Sequence, residues 1–228
     1  MSGPFFIPAP GVEGWRQRLA DPDKHWRTGY SARALAHAWE DAGGFPSEVR
    51  VALDSAADSG LHGLELLAAF PEYPVPLPGG RRPSQNDIWL LARGSAGLVS
   101  IAVEGKVAEP FDRPVNEWLA EASDGKLERL AYLCRNLGLQ PEQVGSLRYQ
   151  LLHRAASAVI EARRFCCPRA VMLVHSFSQD HAWFPDYATL AAAFGVDVMP
   201  GQVASVRAID GISLAVGWVT GDAVFLTR

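Results

Sequence analysis

The sequence predicts an α/β protein, a mixed sheet with helices on its faces, on three observations. Two apolar runs, "NDIWLLAR" and "LVSIAVEGKV", meet at a Gly-Ser-Ala-Gly turn, the pattern of a β-hairpin. "AVMLVHSF" is a continuous apolar run of the kind shown by a strand buried on both faces. Helical repeats precede, separate and follow these strands, an alternation that places helices over a sheet.

Residues 1–46 read as an N-terminal extension. It has an irregular, Pro-rich start and one helix over "YSARALAHAWEDAGG", with Ser31 as N-cap and the glycines as its stop. Within it "DKHWRTGY" mixes Lys24, His25 and Arg27 with Trp26 and Tyr30, a composition suited to a nucleic-acid backbone and its bases. Aromatics packed on the core are the plainer reading of that segment. Residues 47–228 form the main domain. Its first part, 47–70, is expected as two short helices broken near "DSG". In the second, Leu61, Leu64, Leu67 and Ala68 share one face, and His62 and Glu65 share another. "PVPLPGGRRPSQ" follows as an extended segment and a loop, where Arg81 and Arg82 are either solvated or phosphate-binding.

The hairpin carries the chemistry. Side chains of a strand alternate between faces, so Val99, Ile101, Val103 and Val107 fall on one face and Ser100, Ala102, Glu104 and Lys106 on the other. A turn closed symmetrically about Ser95 and Ala96 sets Asp87 opposite Glu104. Carboxylates roughly 5 Å apart repel by about 3 kcal/mol at an effective dielectric of ~20. A positive charge is therefore expected between them, and a divalent cation beside Lys106 would supply it. Only three of the 21 basic residues are lysine, which makes one in an apolar strand informative, because a lysine is tuned by its surroundings and an arginine is not.

After the hairpin, a polar connection contains a helix around "GKLERLAYLCRNLG", and a long helix is expected over 146–165 with Ser146 as cap. Gln150, Arg154, Ser157 and Glu161 recur on it at helical spacing as one polar stripe, which a water-facing surface would explain. His175 in the apolar strand reads as a satisfied core residue. A further helix over "HAWFPDYATLAAAFG" and a hairpin around Thr220 to Asp222 complete the chain.

Composition bounds the function. With 228 residues, 48% of them hydrophobic, and a net charge of −4, the chain has ample core and no general attraction to phosphate, so any such contact must come from a local patch or a metal. No run approaches the ~18 apolar residues of a membrane span, and the N-terminal stretch has no basic lead. The expectation is a soluble cytoplasmic protein with no membrane partner, a homodimer being among its allowed states. Cys134, Cys166 and Cys167 make neither a disulfide framework nor a CxxC pair. No GxxxxGK[ST], GxSxG, HExxH or GxGxxG motif is present.

An aspartate on one hairpin strand, Glu-x-Lys on the next, then a long helix and a further strand resemble the PD-(D/E)XK nuclease superfamily. "RRPSQNDIWLLAR", "SIAVEGKV" and "RYQLLHR" also resemble an uncharacterised bacterial family assigned to that superfamily. The resemblance covers roughly residues 60–180 and implies a restriction-endonuclease-like core. It implies that Asp87 and Glu104 bind Mg²⁺ (or Mn²⁺) and that Lys106 positions or deprotonates the attacking water. Glu65 would be an additional acidic ligand and Gln150 a helix-borne helper. Two positions depart from the pattern: Asn86 replaces the proline before the aspartate, and Arg154 stands where one branch has a tyrosine. The implied activity is phosphodiester hydrolysis in nucleic acid, DNA first. The alternative is a non-catalytic binding or regulatory module that keeps the fold.

Overall fold

The computed structural model describes Phe6 and residues 11–228. Apart from Phe6, the expected irregular start at residues 1–10 lies outside the described residues.

The N-terminal part holds three helices rather than one: α1 (Val12–Arg16), α2 (Pro22–His25) and α3 (Ser31–Ala42). Helix α3 stops as expected, with Gly43 left-handed at φ 58, a conformation glycine adopts without Cβ strain. Its start differs, because Tyr30 occupies the N-cap and Ser31 is the first helical residue. Leu35 and Trp39 of α3 are fully buried in one hydrophobic cluster with Ile88, Ile101 and Leu173. The segment expected as an extension thus helps build the main core.

Helix α4 (Ser47–Asp54) follows, and then the structure departs from the sequence reading. Residues 61–70 do not form a second helix: Glu65–Val75 is strand β1. Leucines at three-residue spacing fit a helix, yet a short apolar run is ambiguous, and pairing along β2 (Ser84–Gly94) decides it. Pro71 and Pro74 lie within β1, which is an edge strand, where a missing N–H is tolerated.

Strand β3 (Gly97–Lys106) closes the hairpin in the expected register, from Gly94↔Gly97 to Ile88↔Val103. Its two faces are as the alternation requires. Val99, Ile101 and Val103 join the cluster under α3, while Ala102 joins the cluster on the other face. Helices α5 (Val115–Trp118), α6 (Asp124–Leu137) and α7 (Tyr149–Arg164) then cross over to β4 (Arg169–Ser176), which is parallel to β3. Helix α8 (Phe184–Ala193) leads to β5 (Gln202–Ile209) and β6 (Ile212–Thr220).

The closing hairpin is therefore β5 with β6 about Asp210–Gly211, and the expected turn at Thr220 to Asp222 instead leads into a 3₁₀ turn over Ala223–Thr227. The result is one six-stranded mixed sheet, in the order β1-β2-β3-β4-β6-β5, covered on both faces.

His175 is the satisfied core residue anticipated. Trp39 Nε1 donates to its Nδ1 at 3.2 Å, and its Nε2 lies 3.0 Å from Glu48 Oε1. No helix among the described residues is long and apolar enough to cross a membrane.

Candidate active site

The open end of the β2–β3 hairpin and the first turns of α7 converge on a cleft of ≈ 950 Å³, with Asp87, Glu104, Lys106 and Gln150 in its lining. The sequence-predicted set thus meets in one place, with one exception. Glu65 begins β1 at the opposite end of the ladder, across from Arg93, where its carboxylate is exposed and paired with that arginine at 2.7 Å. It takes no part in the cleft, because the helix that was to present it is a strand.

Gly105 explains the middle residue of "EGK". Its N–H donates to Asp87 Oδ2 at 2.7 Å. A Cβ there would stand 3.1 Å from Leu35 Cδ2 and 3.3 Å from Asp87 Oδ2. Glycine lets the aspartate and α3 close on the strand together.

Glu104 is the hub. One carboxylate oxygen, Oε1, receives Lys106 Nζ at 2.9 Å and Gln150 Nε2 at 2.7 Å; the other, Oε2, receives Arg154 Nε at 2.5 Å. The positive charge expected between the opposed acids is therefore built into the chain. It is the guanidinium of Arg154, whose Nη2 also faces Asp87 Oδ1 at 3.8 Å. The stripe on α7 faces inward, against the expectation of a water-facing surface, and Arg154, Ser157 and Glu161 are buried. Ser157 donates to Ser84 Oγ at 2.8 Å, and Ser84 accepts from Arg154 Nη1 at 3.2 Å. The Ser84 hydroxyl in turn lies 2.7 Å from His153 Nδ1. Burial, then the charges of Arg154, Arg129 and Lys106, hold the His153 imidazole well below its ordinary range. It stays neutral and can accept that hydroxyl. Arg154 is thus hydrogen-bonded through Nε and Nη1, with Nη2 turned toward Asp87.

Sequence reasoning missed Glu72. It lies across from Asp87 on β1, between the pairs Pro71↔Ile88 and Tyr73↔Asn86, and lines the cleft. Phe70 and Tyr73 both pack on Trp89 although they are three residues apart, so the alternation of β1 breaks between them. It breaks at Glu72, which is left-handed at φ 52, a strained conformation for a residue with a Cβ. The side-chain amide of Gln85 holds the strained peptide, donating to Glu72 O at 2.5 Å, while Asn86 Nδ2 donates to Tyr73 O at 3.2 Å.

Three acids, Glu72, Asp87 and Glu104, therefore lie in a row across three adjacent strands. Burial raises the Glu104 carboxyl, but Arg154 and then Lys106 outweigh it and hold the group below its ordinary range. Asp87 is pushed up to about 7, by burial first and then by Glu104. Glu72 is pushed up to about 8, by burial and then by Asp87. With all three ionised against Lys106 and Arg154, the cluster carries one negative charge in excess. A proton or a bound cation removes it.

The donor set fits a hard cation. Among the described residues no group of three or more His, Cys, Asp or Glu side chains is arranged to hold one. Mg²⁺, however, is commonly bound through one or two carboxylates with water completing its shell. Asp87 and Glu72 are the carboxylates available; Glu104 can join them only by giving up Arg154.

Strain at Glu72 has a measurable consequence. Glu72→Gly should stabilise the protein in EDTA by about 1–2 kcal/mol, by relieving the left-handed backbone and removing a half-buried acid beside Asp87. It should also shrink any stabilisation by Mn²⁺. Denaturant melts with and without the metal check both. Loss of stability in EDTA would mean that the carboxylate is part of the scaffold.

Over residues 8–223 the chain matches a family described as "Domain of unknown function (DUF6946)". The chain belongs to this family. No curated protein and no solved structure matches it. In this DUF6946 protein, then, the acid row, Lys106 and the α7 residues stand as the chemistry to be explained.

Proposed function

We propose that this DUF6946 protein is a divalent-cation-dependent phosphodiesterase of the PD-(D/E)XK type, acting on nucleic acid and on DNA first. The observation that carries the reading is the convergence of Asp87, Glu104, Lys106 and Gln150 on one cleft, from a hairpin and the helix that follows it. The antiparallel hairpin, long helix and parallel strand support a restriction-endonuclease-like core. Asp87 and Glu72 would hold Mg²⁺, which when bound neutralises phosphate charge and lowers the pKa of a coordinated water. The chain supplies the rest. Glu104 and Gln150 hold Lys106 Nζ in place, and from there the ammonium orients the attacking water against the phosphorus. Arg154 offers a fixed cation to the charge that develops on the phosphoryl oxygens. The water's oxygen–phosphorus bond forms as the bond to the leaving sugar oxygen breaks; the water gives up one proton to solvent, and the leaving oxygen takes one from solvent.

A second reading, a non-catalytic nucleic-acid-binding or regulatory module, draws support from one observation. Arg154 already occupies Glu104 Oε2, a position that a metal would otherwise claim. Plasmid and oligonucleotide cleavage with Mg²⁺ or Mn²⁺ separates the two. The first reading expects cleavage that EDTA and Asp87→Ala both abolish. Binding of nucleic acid without cleavage under either metal favours the second.

A further inference from the structure

The cleft has a second wall that the chemistry above does not use. Besides the acid row, the segment from α2 to the start of α3 contributes Lys24, His25, Arg27 and Tyr30 to the lining. All four are exposed, and neither Lys24 nor Arg27 has an acidic partner within ion-pair distance among the described residues. Asp21, three residues before Lys24, is spent on the local turn, where its Oδ1 accepts from Lys24 N at 3.1 Å. The Arg27 guanidinium stands 5.9 Å from the Tyr30 ring, so a cation and an aromatic face are presented side by side.

This wall is anchored rather than loose. Arg18 Nε donates to Pro71 O at 3.0 Å, beside Glu72, and Trp26 packs against the cluster beneath α3. The segment is therefore held in place in the lining of the same cleft as the acid row. In an acidic protein these cationic side chains share one cleft with Lys106.

We propose that this segment binds the backbone of a single-stranded nucleic acid, with Lys24 and Arg27 on phosphates and a base stacked on Tyr30. Cationic groups that track phosphates, interleaved with an aromatic platform, are the general means of gripping single strands. Size argues against a duplex. The cleft's ≈ 950 Å³ is at the upper end of small-ligand pockets, about 300–1,000 Å³, and Glu104 and Lys106 at its floor are 2% and 4% exposed. A phosphate can reach them only on a strand that enters the cleft itself. The inference rests on the proposed function for its ligand class but concerns binding alone.

The test is fluorescence anisotropy in EDTA, which removes cleavage, with a labelled twelve-nucleotide oligothymidine and a duplex of equal length. Wild type should prefer the single strand by tenfold or more. The double variant Lys24→Ala/Arg27→Ala should weaken that binding by at least tenfold and make the slope of log affinity against log salt shallower by about 1.4, roughly 0.7 for each phosphate no longer neutralised. Arg81→Ala/Arg82→Ala removes the same charge from an exposed loop outside the cleft lining and should change binding by less than threefold. Tyr30→Ala should weaken the single strand and leave the salt slope unchanged. Equal binding of duplex, no binding of either probe, or equal effects of the two double variants would each overturn the proposal. Wall-dependent binding without any cleavage under Mg²⁺ would leave it standing and reject hydrolysis; cleavage indifferent to the wall would do the reverse.

Discussion

Arg154→Ala should cost this protein about 3–5 kcal/mol of stability near pH 8, the usual consequence of removing one partner from a buried ion pair. The residue is buried and bonds Glu104 through Nε and Ser84 through Nη1. Its loss leaves Glu104 facing Asp87 with only Lys106 and Gln150 in compensation. The pH dependence separates charge from packing. In the wild type the Glu104 carboxyl is held below its ordinary range, with Arg154 the largest favourable cause. It therefore contributes stability above the unfolded pKa, and that stability is lost as pH falls through the folded value. Without Arg154 the same carboxyl becomes a buried acid with a raised pKa. Such a group destabilises above its folded pKa, and the penalty fades as pH falls toward the unfolded value, about 4.3. Urea melts at pH 8 and at pH 5 should show the gap between wild type and variant narrowing at the lower pH. An equal gap at both would reduce Arg154 to a packing residue.

The second large effect concerns Lys106. If its ammonium orients water, both Lys106→Ala and Lys106→Arg should lower cleavage by about 10²–10³-fold, the usual cost of losing one preorganised polar group at a reacting centre. Arginine keeps the charge but carries a planar fork. The space is shaped for an ammonium 2.9 Å from Glu104 Oε1, 3.2 Å from Gln150 Oε1 and 4.8 Å from the centre of the Phe111 ring. Lys106→Ala also strips a partner from Glu104 and should cost roughly 1–3 kcal/mol in stability, so rates are compared below the variant's own melting point. Full activity in Lys106→Arg would leave the lysine as a charge alone. Full activity in Lys106→Ala would remove it from the chemistry.

The strongest local signals in the sequence were those with a fixed period. Alternation along Val99 to Val107 and the symmetric turn placed the β2–β3 register and both faces of β3, because a one-residue slip would have exposed Val99, Ile101 and Val103. Helices α6 and α7 were legible from helical repeats, and strand β4 with the buried role of His175 from an unbroken apolar run. Glu72 was not, since Leu61, Leu64 and Leu67 matched a helix and the pairing that makes β1 a strand is a contact with distant residues. Two prolines within that apolar run were the available sign of an edge strand. Strand β5 was hidden by its own irregularity, a register shift between Ser205 and Ala208 that breaks the period of two. The role of Arg154 lay within reach. Four residues beyond Gln150, it had to share that side chain's helix face, and the charge missing between Asp87 and Glu104 had to come from somewhere.

Thermal melts of wild type and Asp87→Asn, each in EDTA and in Mn²⁺, ask most directly whether the acid row is built for a cation. Asp87 is an acid raised by burial and by Glu104, so ionising it opposes folding as pH rises from its unfolded value, about 3.9, to about 7. At pH 8 in EDTA, Asp87→Asn should therefore melt higher than wild type, by about 1 kcal/mol after solvent screening. Mn²⁺ at about 100 times its dissociation constant should stabilise wild type by roughly 2.7 kcal/mol and Asp87→Asn by little. Equal shifts in the two proteins, or a variant that melts lower in EDTA, would contradict the account.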